Sequence, residues 1–227
     1  MELFMKYPHE VQNELLKNLL SKAKNTEIGK RYHFSEINSY ESFRQRVPIQ
    51  NYEDYQDIIE RSRKGENNIF WPTPIRWFAK SSGTTSAKSK FIPVSQDSLE
   101  ECHYAAGKDL LCIYLNNNPQ SQMFTGKSLR LGGSKELYQE NGTSYGDLSA
   151  ILIDNMPFWA EFSSTPSNEV SLMHDWEYKM QAIVDETIRE RVTSLAGVPS
   201  WMLVLLNNVL ETTGKESLFE VWPHLEA

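Results

Sequence analysis

An α/β fold, with helices covering a mostly parallel sheet, is predicted by three features of the 227-residue sequence. Short runs rich in aromatic and β-branched residues alternate with stretches of helical periodicity. The helical stretches carry recognisable start and stop residues, and no long apolar or low-complexity segment interrupts the order. Composition agrees, since 40% hydrophobic and 11% aromatic residues at this length supply a buried core and exclude intrinsic disorder.

The elements follow in chain order. Val11, Leu15, Leu19 and Ala23 recur at helical spacing after Pro8, predicting an amphipathic helix over about 9–24 whose role is packing. Tyr55, Ile58 and Ile59 predict a short helix closed by Arg61, Arg63, Lys64 and Gly65, a cationic last turn followed by glycine. Ile75, Trp77 and Ala79 alternate with Arg76, Phe78 and Lys80, predicting a strand, and KFIPVS predicts another. Ser95 is placed to cap a long helix from about Gln96 to Leu115, which Asn116–Asn118 and Pro119 terminate.

Beyond Lys127, candidate strands are Ser128–Leu131 and Ser149–Ile153, separated by a turn-rich segment. Trp176, Met180, Ile183, Val184 and Ile188 mark a helix, and a further helix runs from Pro199 to a stop at Gly214. Leu218–Pro223 reads as the beginning of a strand. No internal repeat or linker is visible, so residues 1–227 are expected to form a single domain.

Charge and sorting signals narrow the function classes. The 23 basic residues against 30 acidic ones leave a net charge of −7, which argues against nucleic acid as a partner. The longest apolar run, Trp201–Leu206, is too short for a membrane helix. The first residues lack a basic segment followed by an apolar block, so a cytoplasmic location is expected. Cys102 and Cys112 lie about 15 Å apart along one helix, beyond disulfide reach, and are expected to be reduced packing residues.

One segment opposes the overall charge. Residues 80–90, KSSGTTSAKSK, carry three lysines and no acid, a local charge of +3 between two strands. Ser81, Ser82, Gly83, Thr84 and Thr85 supply hydroxyls and backbone N–H groups, and Gly83 permits close approach of the backbone, so the loop is suited to wrapping phosphates. Lys90 would add a point charge. An ordinary solvated turn has the same composition, because Ser, Thr and Gly favour turns for conformational reasons alone.

The loop resembles the phosphate loop of acyl-adenylating enzymes, whose Ser/Thr-Ser-Gly-Thr-Thr core precedes a lysine. Taken with FRQRVPIQNYEDY before it and AGVPSWMLVLL after it, FAKSSGTTSAKSKFIPVS is similar to the auxin-responsive promoter family of acyl-acid amido synthetases, its bacterial members especially. The resemblance extends from KNTEIGKRYHF to VWPHLEA. It implies that Ser81, Ser82, Gly83, Thr84, Thr85 and Lys90 bind the phosphates of ATP with Mg²⁺, and that Val198, Pro199 and Trp201 border an acyl-acid pocket. Ala87 departs from the pattern, standing where plant members usually carry glycine.

The resemblance further implies that the chain is one incomplete N-terminal adenylation domain, inactive alone. A second nucleotide motif and a C-terminal domain would belong to the rest of the same polypeptide. The expected activity is ATP-dependent adenylation of a small carboxylic acid and transfer of its acyl group to an amino acid. The alternative is a non-catalytic phosphate-binding or interaction module.

Other signals are weaker. Gly126-Lys127-Ser128 lacks the glycine of a Walker loop at Ser121. His9, His33, His103, His174 and His224 are scattered without HExxH or CxxC spacing, so no protein-ligated metal is expected, and no GxSxG elbow supplies a nucleophile. Adenylation needs no catalytic side-chain nucleophile, and none is assigned.

Overall fold

The computed structural model describes residues 2–81, 89–132, 137–140 and 142–227. They gather into two compact units, residues 1–96 with 139–144, and residues 97–138 with 145–227.

The first unit begins with α1 (Glu2–Lys6), α2 (Pro8–Ala23), α3 (Glu27–Arg31), α4 (Tyr40–Arg46) and α5 (Gln56–Arg63). Local chemistry fixes these boundaries. Pro8 opens α2 at the one turn where its missing N–H costs nothing. Thr26 accepts from the Gly29 N–H to cap α3, and Ser39 and Ser42 form a reciprocal cap on α4. Gly65, at φ +91°, follows the end of α5 in the left-handed region that glycine enters without steric cost. The helix expected at 9–24 is α2, although Leu15 and Leu19 are exposed and its buried contacts come from Leu20 and Ala23.

Two strands follow, β1 (Trp77–Lys80) and β2 (Phe91–Val94), paired antiparallel so that Lys80 lies opposite Phe91. They belong to a four-stranded sheet of order β2-β1-β5-β4, with β4 at Tyr138–Glu140 and β5 at Thr143–Gly146.

The second unit holds the parallel sheet. Its strands are β3 (Lys127–Leu131), β6 (Ser164–Thr165) and β7 (Val192–Gly197), in the order β6-β3-β7. β3 pairs parallel with both neighbours. The long helix expected from Gln96 is present as a π-helical stretch, Ser98–Tyr104, running into α6 (Ala105–Asn117). Then come α7 (Leu148–Asp154), α8 (Phe158–Phe162), α9 (Asn168–Ser171), α10 (Trp176–Thr187), α11 (Pro199–Thr213) and α12 (Leu218–Val221).

Leu129 and Leu131 on one face of β3 pack with Met180, Ile183 and Val184 of α10, Leu205 and Val209 of α11, and Trp222. The indole N–H of Trp222 donates to the Thr187 carbonyl at 3.1 Å, so burial leaves no polar atom of that ring orphaned. Gly214 ends α11 at φ +65°, as its place in the sequence predicts.

Two expected strands are helices. Ser149–Ile153 lies within α7, with Ala150, Ile151 and Ile153 buried, because a short apolar run cannot be told from a buried helical turn by periodicity. Leu218–Pro223 begins with α12, started by the reciprocal cap between Ser217 and Glu220. Cys102 and Cys112 are unpaired thiols as expected, but both are exposed and so do not serve as packing residues. Among the described residues no helix is long and apolar enough to cross a membrane.

Candidate functional site

The base of the lysine-rich loop is a hairpin. The Ser81 N–H donates to the Lys90 carbonyl at 2.9 Å, and the Lys90 N–H approaches the Ser81 hydroxyl at 3.4 Å, extending the β1–β2 pairing by one step. Ser82, Gly83, Thr84 and Thr85 lie outside the described residues. The Lys90 ammonium stands 3.8 Å from Glu53 and 5.2 Å above the Tyr52 ring. Tyr52 is itself fixed to the hairpin, its hydroxyl accepting the Phe91 N–H at 2.9 Å. Tyr52, Glu53, Gln56, Lys80 and Ser89 line the adjoining groove with Lys90, in a volume of about 570 Å³. The arrangement offers a cation held by one exposed carboxylate, a pairing of small energetic worth.

The second unit contains an apolar cleft of about 490 Å³. Its floor is the face of the parallel sheet opposite the core. Ser128 stands across from Ser194, and Arg130 across from Ala196, in the β3–β7 register, and all four line the cleft. Small residues there leave the volume open. Tyr104, Leu110 and Leu111 form one wall, and Leu152, Ile153, Met156 and Trp159 form another. The Tyr104 hydroxyl donates to the Leu152 carbonyl at 2.9 Å, and burial beside Asp154 pushes its pKa up to about 12, so it stays a neutral donor.

Arg130 is the exception on this floor. Burial pulls its pKa down to about 10, which leaves it a cation at neutral pH. Its Nη1 donates to the Met156 sulfur, a weak acceptor, and its buried Nε has no hydrogen-bond partner among the described residues. Glu161 acts on it only through space, since that carboxylate accepts from the Asn168 amide at 2.8 Å. The guanidinium as a whole is half-buried, and the Nε is its buried atom. Sequence reasoning missed Arg130; the available signal was one basic residue between Leu129 and Leu131 in a strand.

Behind the sheet, Lys179 of α10 is fully buried and donates to the carbonyls of Ser171 at 2.6 Å and Gly132 at 3.3 Å. It thereby tethers the residue immediately after β3, on the rim of the cleft. Desolvation lowers its pKa to about 8.

The expected acyl-pocket residues stand beside this cleft rather than among its lining. Val198 and Pro199 are exposed where β7 turns into α11, directly after the lining residues Ala196 and Gly197. Trp201 packs edge-on against Trp176, with ring centroids 5.4 Å apart. A larger cleft of about 680 Å³ adjoins the start of β3, where Lys127 and Glu190 pair with each other at 2.7 Å. Gly126-Lys127-Ser128 enters β3 directly rather than a helix, against a Walker loop. Among the described residues, no three His, Cys, Asp or Glu side chains gather into a metal cage.

Comparison with known proteins places the chain. It is 32% identical over 94 residues to indole-3-acetic acid-amido synthetase GH3.2 of Arabidopsis thaliana, a match covering 41% of this chain and 17% of that protein. It is 25% identical over 159 residues to jasmonoyl–L-amino acid synthetase JAR4 of Nicotiana attenuata, covering 69% of this chain and 27% of the relative. The chain thus matches only about a sixth to a quarter of the length of these curated relatives. The solved structure of AtGH3.15 acyl acid amido synthetase in complex with 2,4-DB superimposes with a TM-score of 0.72 at 22% identity, over 89% of this chain and 36% of that one, and so shares its fold. The model of the GH3 family N-terminal domain matches residues 1–227 in full, and the chain belongs to that family of acyl-acid amido synthetases.

Proposed function

We propose that this chain is the acid- and phosphate-binding portion of a larger, ATP-dependent acyl-acid amido synthetase. The observation that carries the reading is the largely apolar cleft of about 490 Å³ with Arg130 on its floor, in a chain of this family. An apolar body with a few placed polar groups is what a small organic acid requires.

The chemistry follows from the leaving group. A carboxylate resists attack because it would have to expel oxide. One of its oxygens instead attacks the α-phosphorus of ATP, the bond to the β-phosphate oxygen breaks, and pyrophosphate departs. An amino acid amine then attacks the carbonyl of the mixed anhydride, and AMP leaves carrying the oxygen that came from the acid.

In this reading Ser81, Ser82, Gly83, Thr84 and Thr85 wrap the β- and γ-phosphates, and Lys90 leaves Glu53 to face them. Mg²⁺ bound with the nucleotide would supply neutralisation of phosphate charge, and no described residue is assigned to hold it. The work of the chain is positioning and electrostatics, so no side-chain nucleophile is required. Val198, Pro199 and Trp201 form the outer lip of the acid site, next to Gly197. The reaction takes place in the cytoplasm, where ATP is available. No described residue is assigned to the amine.

The test follows the oxygen. The full-length gene product is incubated with ATP, an amino acid and a panel of small acids labelled with ¹⁸O in the carboxylate. Transfer of one ¹⁸O to AMP, read by mass spectrometry, supports adenylation. Amide formation with the label in inorganic phosphate and unlabelled ADP as the nucleotide product would point to an acyl-phosphate route and overturn it.

A further inference from the structure

The turn Tyr52–Tyr55 and the edge of the β1–β2 hairpin meet through one side chain. β2 ends the order of its four-stranded sheet. The Ser81 N–H donates to the Lys90 carbonyl, so in the next antiparallel pair, Lys80 opposite Phe91, the backbone groups of Phe91 point away from β1. An edge strand ordinarily presents such groups unpaired. Here the Tyr52 hydroxyl takes both, accepting the Phe91 N–H at 2.9 Å and donating to the Phe91 carbonyl at 3.4 Å. One hydroxyl thus stands in for a neighbouring strand at the residue after Lys90.

The ring of the same tyrosine lies beneath the lysine. The Lys90 ammonium is 5.2 Å from its centroid, within cation–π range, and 3.8 Å from Glu53, which is longer than a hydrogen bond. From α5, Arg63 lies 3.9 Å over the Phe91 ring and pairs with Glu60 at 2.6 Å, so both carboxylates that line the groove stand beside a cation. Tyr52 is held in its turn by the Asn51 N–H, which donates to the Asp54 carboxylate at 2.8 Å. A lysine ammonium is a point charge on a flexible four-carbon stem, and fixing that stem costs conformational entropy when an anion binds. Seated over a ring, on a clamped backbone, Lys90 has lost part of that freedom beforehand.

We infer that Tyr52 is a positioning residue for the nucleotide phosphates, acting through Lys90: its hydroxyl clamps the edge of β2 and its ring seats the ammonium. The inference rests on the proposed function, which gives Lys90 to the phosphates, and deepens it by naming what holds that lysine in place. The two parts are separable, because phenylalanine keeps the ring and removes the hydroxyl, whereas leucine removes both.

The full-length gene product is titrated calorimetrically with ATP and Mg²⁺. Tyr52→Phe should weaken ATP binding by about fivefold, the scale of one hydrogen bond, and should speed amide hydrogen exchange at Phe91. Tyr52→Leu should weaken binding by about threefold more. Melting curves check that both variants fold. Both substitutions are then repeated in the Lys90→Ala background, where an effect exerted through Lys90 disappears. There each should change affinity by less than about twofold, the scatter of independent changes. A tyrosine that merely supported the fold would weaken both backgrounds equally, so losses that multiply with that of Lys90→Ala overturn the inference. Unchanged exchange at Phe91 in Tyr52→Phe, or wild-type affinity in Tyr52→Leu, also overturns it.

Acid-dependent pyrophosphate exchange, followed in parallel, separates this inference from the proposed function. The KM for ATP should rise in both Tyr52 variants while the KM for the acid stays unchanged, and an equal rise in both would contradict a role at the phosphates. Exchange in wild type together with multiplying losses removes the role of Tyr52 and leaves the ligase. Coupled ATP binding without exchange for any acid keeps the positioned lysine and removes the ligase. No ATP binding by wild type overturns both.

Discussion

Both compact units bury apolar side chains, Ile58, Ile59, Ile69, Phe78 and Val94 among them in the first, and they differ in how much charge pairing surrounds that burial. In the first unit, charge pairs recur along the surface: Arg31 and Arg61 on Glu27, Arg61 also on Glu66, Arg46 on Glu36, Arg63 on Glu60, and Lys90 on Glu53. In the second, Leu129, Ile183, Val184, Val192, Leu205 and Val209 are completely buried around one face of the parallel sheet. Exposed pairs contribute about 0–1 kcal/mol each, whereas a fully buried aliphatic side chain contributes about 1.5–3 kcal/mol.

The largest expected effect lies in the buried unit. Trp222→Ala removes an indole that is 1% exposed together with its bond to Thr187, and should destabilise the unit by about 3–5 kcal/mol. Denaturant titration followed by hydrogen exchange should show the loss in α10, α11 and β7 while the β1–β2 hairpin keeps its protection. Equal loss in both units would erase the contrast.

Lys179 gives the second prediction. Its folded pKa, about 8, lies below the ordinary 10.5, so between those values the unfolded chain binds more protons and stability rises with pH. Chemical denaturation between pH 8 and 10.5 should show that slope in wild type and not in Lys179→Met. A flat wild-type profile would show that the ammonium is well compensated.

Next in size, Ser217→Ala removes one half of the α12 cap and should cost about 1 kcal/mol, measured as a shift in denaturation midpoint. The smallest effect belongs to the charged unit. Arg61 holds Glu27 and Glu66 below the usual carboxylate pKa of 4.5, a contribution present above that pH and lost as the pH falls through their lowered values. Arg61→Ala should lower the melting temperature slightly, less in high salt than in low, and should flatten the acid limb. A salt-independent loss would mean that Arg61 acts by packing.

Much of this contrast was legible before any coordinates. Pro8, Gly65 and Pro199 with Gly214 marked helix ends because their backbone preferences act locally. The β1 and β2 strands and the base of the lysine-rich loop were equally readable. The short apolar run Ser149–Ile153 was not, because burial on either side of a helix or a strand produces the same composition. The strand β6 was missed for a related reason: Ser164–Thr165 is two residues long, and the parallel pairing that makes it a strand lies far away in sequence. Arg130 stayed hidden likewise. Its isolation is a property of the cleft, assembled from β3, α6, α7 and β7, and no spacing along the chain records it.

The central claim is that the hairpin loop and Lys90 serve adenylation of a carboxylic acid. The most direct measurement is ATP–pyrophosphate exchange by the full-length gene product with a panel of small acids, in wild type and Lys90→Ala. The account predicts acid-dependent exchange that falls by about a hundredfold or more in the variant. Tight ATP binding with no exchange for any acid would contradict it and leave a non-catalytic phosphate-binding module as the better description.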